Sequence, residues 1–435
     1  MKNKKQNRKG KFSKKRKTNN IKSHKTRKTH RKYTRKIKGG VYTSSYNKDD
    51  FIRDINVVDN SGERIFLPDD VAETIYDMGR FTPKNKNELQ QAVDLWCANR
   101  ETAEERYGHI SRWNTSLITN MSALFQEKEN FNDNINSWDV SNVRNMDYIF
   151  FRAIHFNQPL NNWNVSNVTS MKLVFCNAIR FNRPLNNWNV SNVRNMRVMF
   201  QSAENFTQDI SMWNVSKVKD MSSMFSHATT FNQHLNTHEV TRNDGSTYMA
   251  WDVSKVKDMG SMFMSAQFFN RPLNNWNVSK VRDMSYMFSN ARSFNQPLNN
   301  WNVSKVKNMI AMFNSAISFN QPLNNWNVLN VESMREMFSG ARSFNQPLNT
   351  HEVTRNDGSI YLAWDVFNVR DIEWMFRDAT SFNQPLNNWN VLNVGSMWEM
   401  FVGSAMEDNP PHWFNNISWP YTDEDDDEDD DEDDE

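Results

Sequence analysis

Two short motifs carry the side chains best suited to chemistry, and each occurs twice. His238-Glu239 and His351-Glu352 set an imidazole beside a carboxylate, the residue types that general acid–base work uses. Around them the same thirteen residues return, HEVTRNDGSTYMA at 238–250 and HEVTRNDGSIYLA at 351–363, so Arg242 and Tyr248 recur as Arg355 and Tyr361. A lone His-Glu pair on a hairpin is usually surface. The chain has no H-E-x-x-H, no G-x-S-x-G, no Walker-type glycine loop and no Cys/His cluster. The expectation is therefore a protein with no catalytic, cofactor-binding or metal residues. The eight residues His238, Glu239, Arg242, Tyr248, His351, Glu352, Arg355 and Tyr361 are read instead as partner contacts. Asn243-Asp244-Gly245 and Asn356-Asp357-Gly358 are hairpin turns, because these residue types accept positive φ cheaply.

A second set is purely electrostatic. Lys217, Lys219, Lys255, Lys257, Lys280, Arg282, Lys305 and Lys307 fall at equivalent places in four adjacent repeats and predict two files of cations. Such a stripe suits a phosphate backbone or the chain's own acidic end. Asp220, Asp258 and Asp283 flank it and are expected to neutralise part of it, leaving a solvated face as the plainer reading.

The elements that position these residues follow from a period. Tryptophan opens a 25-residue unit eleven times, from Trp113 to Trp389, and the two gaps of 38 are the same unit plus the thirteen-residue inserts. Periods of this size mean stacked coils, each too small to bury a core alone. In the unit from Trp163 to Asn187, Leu160, Trp163 and Val165 match the L-x-x-L-x-L core of a leucine-rich repeat, with Trp163 and Val165 alternating as in a strand. Val168, Met171, Val174, Phe175 and Ala178 recur at steps of three and four, which predicts a helix, with Ser166 placed as its N-cap. The expected fold is α/β, a right-handed leucine-rich-repeat-like solenoid with a narrow parallel sheet, short helices opposite and disordered tails. A rung spacing of roughly 4.8 Å puts the two hairpins about 19 Å apart on one edge. The asparagine that follows the second phenylalanine, from Asn132 to Asn383, is read as a buried ladder satisfying turn carbonyls, broken once at Thr207. The serine becomes Leu329, Phe367 and Leu392 in the last three units, an apolar strip that meets either the C-terminal segment or a partner.

The unit W-N-V-S-x-V-x-x-M-x-x-M-F-x-x-A-x-x-F-N-Q-P-L-N-N resembles the BspA-like leucine-rich-repeat proteins over about 113–405, and Tyr107-Gly108-His109-Ile110 with the preceding helix resembles that family's N-terminal cap. The family holds bacterial surface adhesins and intracellular copies in protists and large DNA viruses. The resemblance implies a protein-binding rod and no particular chemistry.

The formal net charge of +1 conceals unlike ends. Residues 1–40 hold nineteen Lys/Arg and no acid, whereas 423–435 are thirteen consecutive Asp/Glu. Runs of this kind read as disordered tails. The basic arm, with KKRK at 14–17, suits nuclear targeting or nucleic-acid contact. No apolar core of a secretory signal stands in the first forty residues, and no 18-residue apolar stretch spans a membrane, so an intracellular placement, nuclear where the basic arm serves as a targeting signal, is expected over surface or virion display. Only Cys97 and Cys176 are present, so no disulfide framework is expected. Leu89, Val93 and Trp96 predict a helix over 86–99, with a second at 101–107 ended by Gly108 and a C-terminal cap over 406–422. The segment 41–85 is poorly defined. Its Leu67-Pro68-Asp69-Asp70-Val71 with Ile75 faintly resembles the opening of an F-box, the adaptor segment of ubiquitin ligases. Partner identity and oligomeric state are not legible.

Overall fold

The computed structural model describes residues 57–58, 64–65, 80–355 and 357–414. The basic arm, the F-box-like stretch and the acidic run lie outside the described residues. Two compact units are present, 1–79 and 80–435. In the first, β1 (Val57–Val58) pairs antiparallel with β2 (Arg64–Ile65).

The second unit opens with α1 (Lys86–Ala98) and α2 (Arg100–Tyr107). Asn85 caps α1 by accepting the Glu88 amide at 3.0 Å, while the Glu88 carboxylate accepts the Lys84 amide at 2.8 Å. Leu89, Ala92, Val93 and Trp96 form its buried face. Gly108, at φ +69°, ends α2. Phe81, Trp96 and Tyr107 pack their rings around Trp113, so the first repeat is covered by aromatic side chains.

The repeats that follow are almost wholly non-helical. The inward set is the expected one: Val168, Met171, Val174, Phe175 and Ala178 are all fully buried. Their backbone, however, is not a helix. Between Met196 and Ala203 every amide is accounted for. Those of Met196, Val198, Phe200 and Ser202 donate to carbonyls of the next repeat, at Asp220, Ser222, Met224 and Ser226. Those of Met199, Gln201 and Ala203 close three-residue-back turns onto Met196, Val198 and Phe200. The Arg197 amide is taken by the Asn195 side chain at 2.9 Å. Val198 and Ser202 sit at φ +61° and +54°, the left-handed third place of two successive turns. Turns of this kind return residues to the inside at the same three-one-three spacing as a helix, which is why the periodicity misled. A helix would spend these amides within one repeat; here half of them join one repeat to the next.

The expected parallel sheet is likewise corrected. Parallel pairing is confined to one residue per repeat, a series of isolated bridges from Asn120↔Asn145 to Asp371↔Ser396, and the only strands among the described residues are the small antiparallel pairs. Trp163 and Val165 are buried without belonging to a strand.

Side chains complete the join. The Trp113 indole N–H donates to Gly108 of the cap at 3.0 Å, and in later repeats it donates to a carbonyl of the repeat before: Trp188 to Leu160 at 2.9 Å, and Trp276, across an insert, to Leu235 at 2.6 Å. Trp163 and Trp188 lie parallel at 6.5 Å, and Phe150 stacks on Phe156 at 4.1 Å within its repeat and on Phe175 at 5.7 Å in the next. The expected serine N-cap is also corrected. The acceptor is the residue two before it, Asn164 to the Ser166 amide and Asn390 to the Leu392 amide, an Asx turn that does not need the serine hydroxyl. That removes any local penalty for Leu329, Phe367 and Leu392. The asparagine ladder exists with the opposite polarity: the Asn157 carboxamide oxygen accepts the Asn182 amide at 3.0 Å, so it satisfies donors, and these residues are half-buried or exposed. Thr207 still donates to Asn182 but has no carboxamide to pass on.

Candidate functional site

The inserts are antiparallel hairpins, β3 (His238–Thr241) with β4 (Thr247–Ala250) and β5 (His351–Thr354) with β6 (Ile360–Ala363). Both turns close identically. The Gly245 amide donates to Arg242 at 2.9 Å and the Arg242 amide to Ser246 at 2.8 Å, with Gly245 at φ +80°; Gly358, Arg355 and Ser359 repeat this with φ +81°. The first is a three-residue loop, 243–245, in which only the glycine takes the left-handed place, not a two-residue turn in which Asn or Asp shares it. The carboxylates of Asp244 and Asp357 each take a serine amide and hydroxyl, which holds them below the usual carboxylate range.

Arg242 lies over the Tyr248 ring at 4.3 Å, and Arg355 over Tyr361 at 4.3 Å. Each phenol in turn donates to the backbone just ahead of a repeat tryptophan, Tyr248 to Met212 and Tyr361 to Asn325, both at 2.6 Å. Arginine and tyrosine thus fix the hairpin against the repeats. The histidines are also tied down, with His238 Nδ1 3.0 Å from the Asn236 carbonyl and His351 Nδ1 3.0 Å from that of Asn349. Neighbouring strand residues face opposite ways, so His238-Glu239 and His351-Glu352 are not acid–base dyads. Glu239 faces outward with its partner Met249, and Glu352 with Leu362; Met249 and Leu362 are each 45% exposed. Ile360 adds a second apolar side chain to the outer face of the later hairpin.

All eight cations of the basic stripe are exposed. The amide of Lys219 donates to Arg194, that of Lys257 to Lys219, that of Arg282 to Lys257 and that of Lys307 to Arg282, so one file lies on directly bonded rungs. Arg194 shares this repeat position on the adjoining rung and extends the file, whereas Arg144 and Arg370 share the position but are set apart from the file by Thr169 and Glu332; their place in the 25-residue register was the signal for them. In the other file Lys217, Lys255, Lys280 and Lys305 stand where six repeats have asparagine. There the carboxamide ties down the preceding repeat, as Asn192 does to the Ser166 carbonyl at 2.8 Å and Asn330 to Ser304 at 2.7 Å. Four successive repeats give up that bond, on the order of 1 kcal/mol each, for an exposed charge. Lys307 pairs with Glu332 at 2.8 Å.

The flanking aspartates do not pair with these lysines. Asp220, Asp258 and Asp283 are half-buried and accept the amides of Ser222, Gly260 and Ser285 at 2.8–3.0 Å. Burial raises the Asp258 carboxyl above its usual range, and the like charges of Asp220 and Asp283 add to this. A carboxyl raised in the folded state binds a proton more readily there than in the unfolded chain, so its ionised form opposes folding at neutral pH and this cost fades as pH falls into the acid range. Asparagine fills the equivalent place at 195 and 308 and keeps the acceptor oxygen. Asp258→Asn is expected to raise the thermal midpoint at pH 7, with the gain shrinking toward acid pH. Equal midpoints for variant and parent across that range would contradict it.

Among the described residues no three His, Cys, Asp or Glu side chains group to hold a metal ion, and no helix is long and apolar enough to cross a membrane. Burial pushes the Cys176 thiol up to about 11, and it lies in a turn, not on a helix.

A chain whose tandem 25-residue units bond amide to carbonyl from one to the next is a repeat protein. It belongs to the family described as Mycoplasma protein of unknown function, DUF285, whose model matches 97–193, 160–250, 242–351 and 356–417, well over half of the chain. No curated protein matches it.

Proposed function

We propose that the repeats form a non-enzymatic, protein-binding solenoid of the BspA-like kind, with the two hairpins as its docking elements. The division into basic arm, helical cap, repeats, C-terminal cap and acidic tail belongs to the same reading, as does an intracellular placement. The observation that carries it is the duplicate build of the hairpins. Each is fixed from beneath by an arginine–tyrosine stack and a phenol-to-backbone bond, and each turns a glutamate and an apolar side chain outward. Rigid elements presenting the same face twice favour bivalent capture, in which linked sites gain about 10²–10⁴ over either alone.

Deletion of 238–250 and of 351–363 tests this, because each deletion restores the plain 25-residue unit. The thermal midpoint of the chain is expected to stay within a few degrees, since the repeats cohere through their own bonds. Recovery of a specific partner from nuclease-treated extract by the full chain is expected to fall steeply with one deletion and to vanish with both. Undiminished recovery after both would overturn the assignment.

A further inference from the structure

The hairpins leave unexplained a surface whose character changes in order along the repeats. Going back from the last repeat, one repeat position reads Leu392, Phe367, Leu329 on three successive rungs; Leu392 is 85% exposed and the other two about 40%. The next residue's file is Asn393, Asn368 and Asn330 on those rungs and then turns to lysine at Lys305, Lys280, Lys255 and Lys217. The face is thus apolar for three rungs and then basic for four. Beside the apolar rungs lies an open depression of about 440 Å³ lined by Lys307, Asn330, Glu332, Asn368, Arg370 and Asn393.

The chain beyond Phe414 carries the complementary order. Ile417, Trp419 and Tyr421 alternate with polar residues and proline, and the thirteen acidic residues begin at Asp423. Three apolar side chains at every second position of an extended segment span roughly 13 Å, and three rungs span roughly 10 Å. The eight residues between Phe414 and Asp423 reach about 28 Å when extended, whereas the Lys305 rung is four rungs, roughly 19 Å, from that of Trp413. Trp413 stacks on Trp389 at 6.3 Å and donates to Leu386 at 2.9 Å, as the tryptophan of one further rung would, closing the interior while leaving the Leu392 strip uncovered.

We propose that this face is a docking strip for an extended peptide that is apolar and then acidic, and that the chain's own segment 417–435 occupies it in cis. Ile417, Trp419 and Tyr421 cover Leu392, Phe367 and Leu329, and the first acidic residues lie along Lys305, Lys280 and Lys255. The basic arm at 1–40 is the competing site for the acidic run, but the strip has two advantages. Its charges are held in place by the repeats, and a tether of eight residues keeps the run at high local concentration. The inference stands apart from the hairpin reading, since neither set of residues serves the other.

Zero-length carbodiimide coupling of the full chain, read by peptide mapping, tests it. The expected links join Asp or Glu of 423–435 to Lys305, Lys280 and Lys255 within one molecule, and fall about tenfold between low salt and 1 M as charges are screened. Links confined to lysines of 1–40, or only between molecules, would overturn the proposal. The triple variant Leu329→Ser, Phe367→Ser, Leu392→Ser restores the residue found in the other repeats and so keeps the fold. In it, the links to these lysines are expected to drop several-fold and chymotryptic cleavage after Tyr421 to accelerate. Unchanged links and unchanged cleavage would remove the apolar half of the strip from the account.

Discussion

Trp276→Ala is expected to lower the stability of the repeats by about 3–5 kcal/mol, the range for deleting a large buried aromatic side chain. Trp276 is 3% exposed, lies parallel to Trp251 and Trp301 at 6.3 Å on either side, and donates its indole N–H to Leu235. The smaller change Trp276→Phe keeps much of the stacking and removes the donor. It is expected to cost about 1–3 kcal/mol, because the Leu235 carbonyl is then left buried without that partner. Because each repeat touches only its neighbours, the loss falls at one junction, and unfolding in denaturant is expected to break into two steps for the alanine variant. A cooperative single transition at the parent midpoint for both variants would show that the indole column does not hold the repeats together.

The second large effect distinguishes a turn from a helix at one residue. Ser265 has φ +57°, and its amide donates to the Ser289 carbonyl of the next repeat at 2.7 Å. Proline can adopt neither that φ nor that bond, so Ser265→Pro is expected to cost at least about 3 kcal/mol. Ser265→Gly has the opposite sign. At a left-handed position glycine relieves strain, and glycine already stands at the equivalent places Gly340 and Gly403, at φ +66° and +69°. A helix interior would lose about 1 kcal/mol to the same glycine. Thermal midpoints of the two variants decide it, with a fall for proline and no fall for glycine.

How far the sequence disclosed this fold depends on which property is asked for. Burial was legible: Trp163, Val165, Val168, Met171 and Phe175 are the side chains turned inward, because periodicity reports direction and direction is what a core needs. Backbone conformation was not, since Met196, Met199, Phe200 and Ala203 keep helical spacing while their amides serve the next repeat. Nor could the sequence assign the capping role, because Asn164 and Ser166 are both residues that bind backbone amides and only geometry separates them. The helix at Lys86–Ala98 carried its own signal, the stripe of Leu89, Val93 and Trp96, all of which are buried. The hairpins carried theirs in Asn-Asp-Gly, but the arginine–tyrosine stacks needed the strand register to be seen. At the candidate surfaces, the lysine file was legible from the repeat register, whereas the inward-turned aspartates beside it were mistaken for counter-ions.

The claim on which the rest depends is that the repeats cohere through turn amides donated from each unit to the next. The far-ultraviolet circular dichroism of the full chain tests it most directly. The account predicts a total helical signal that does not change as repeats are removed from the C-terminal end, because among the described residues the α-helices are α1 and α2, ahead of the repeats. A strong helical signal that falls in proportion to the number of repeats removed would contradict it and restore a helix to every unit.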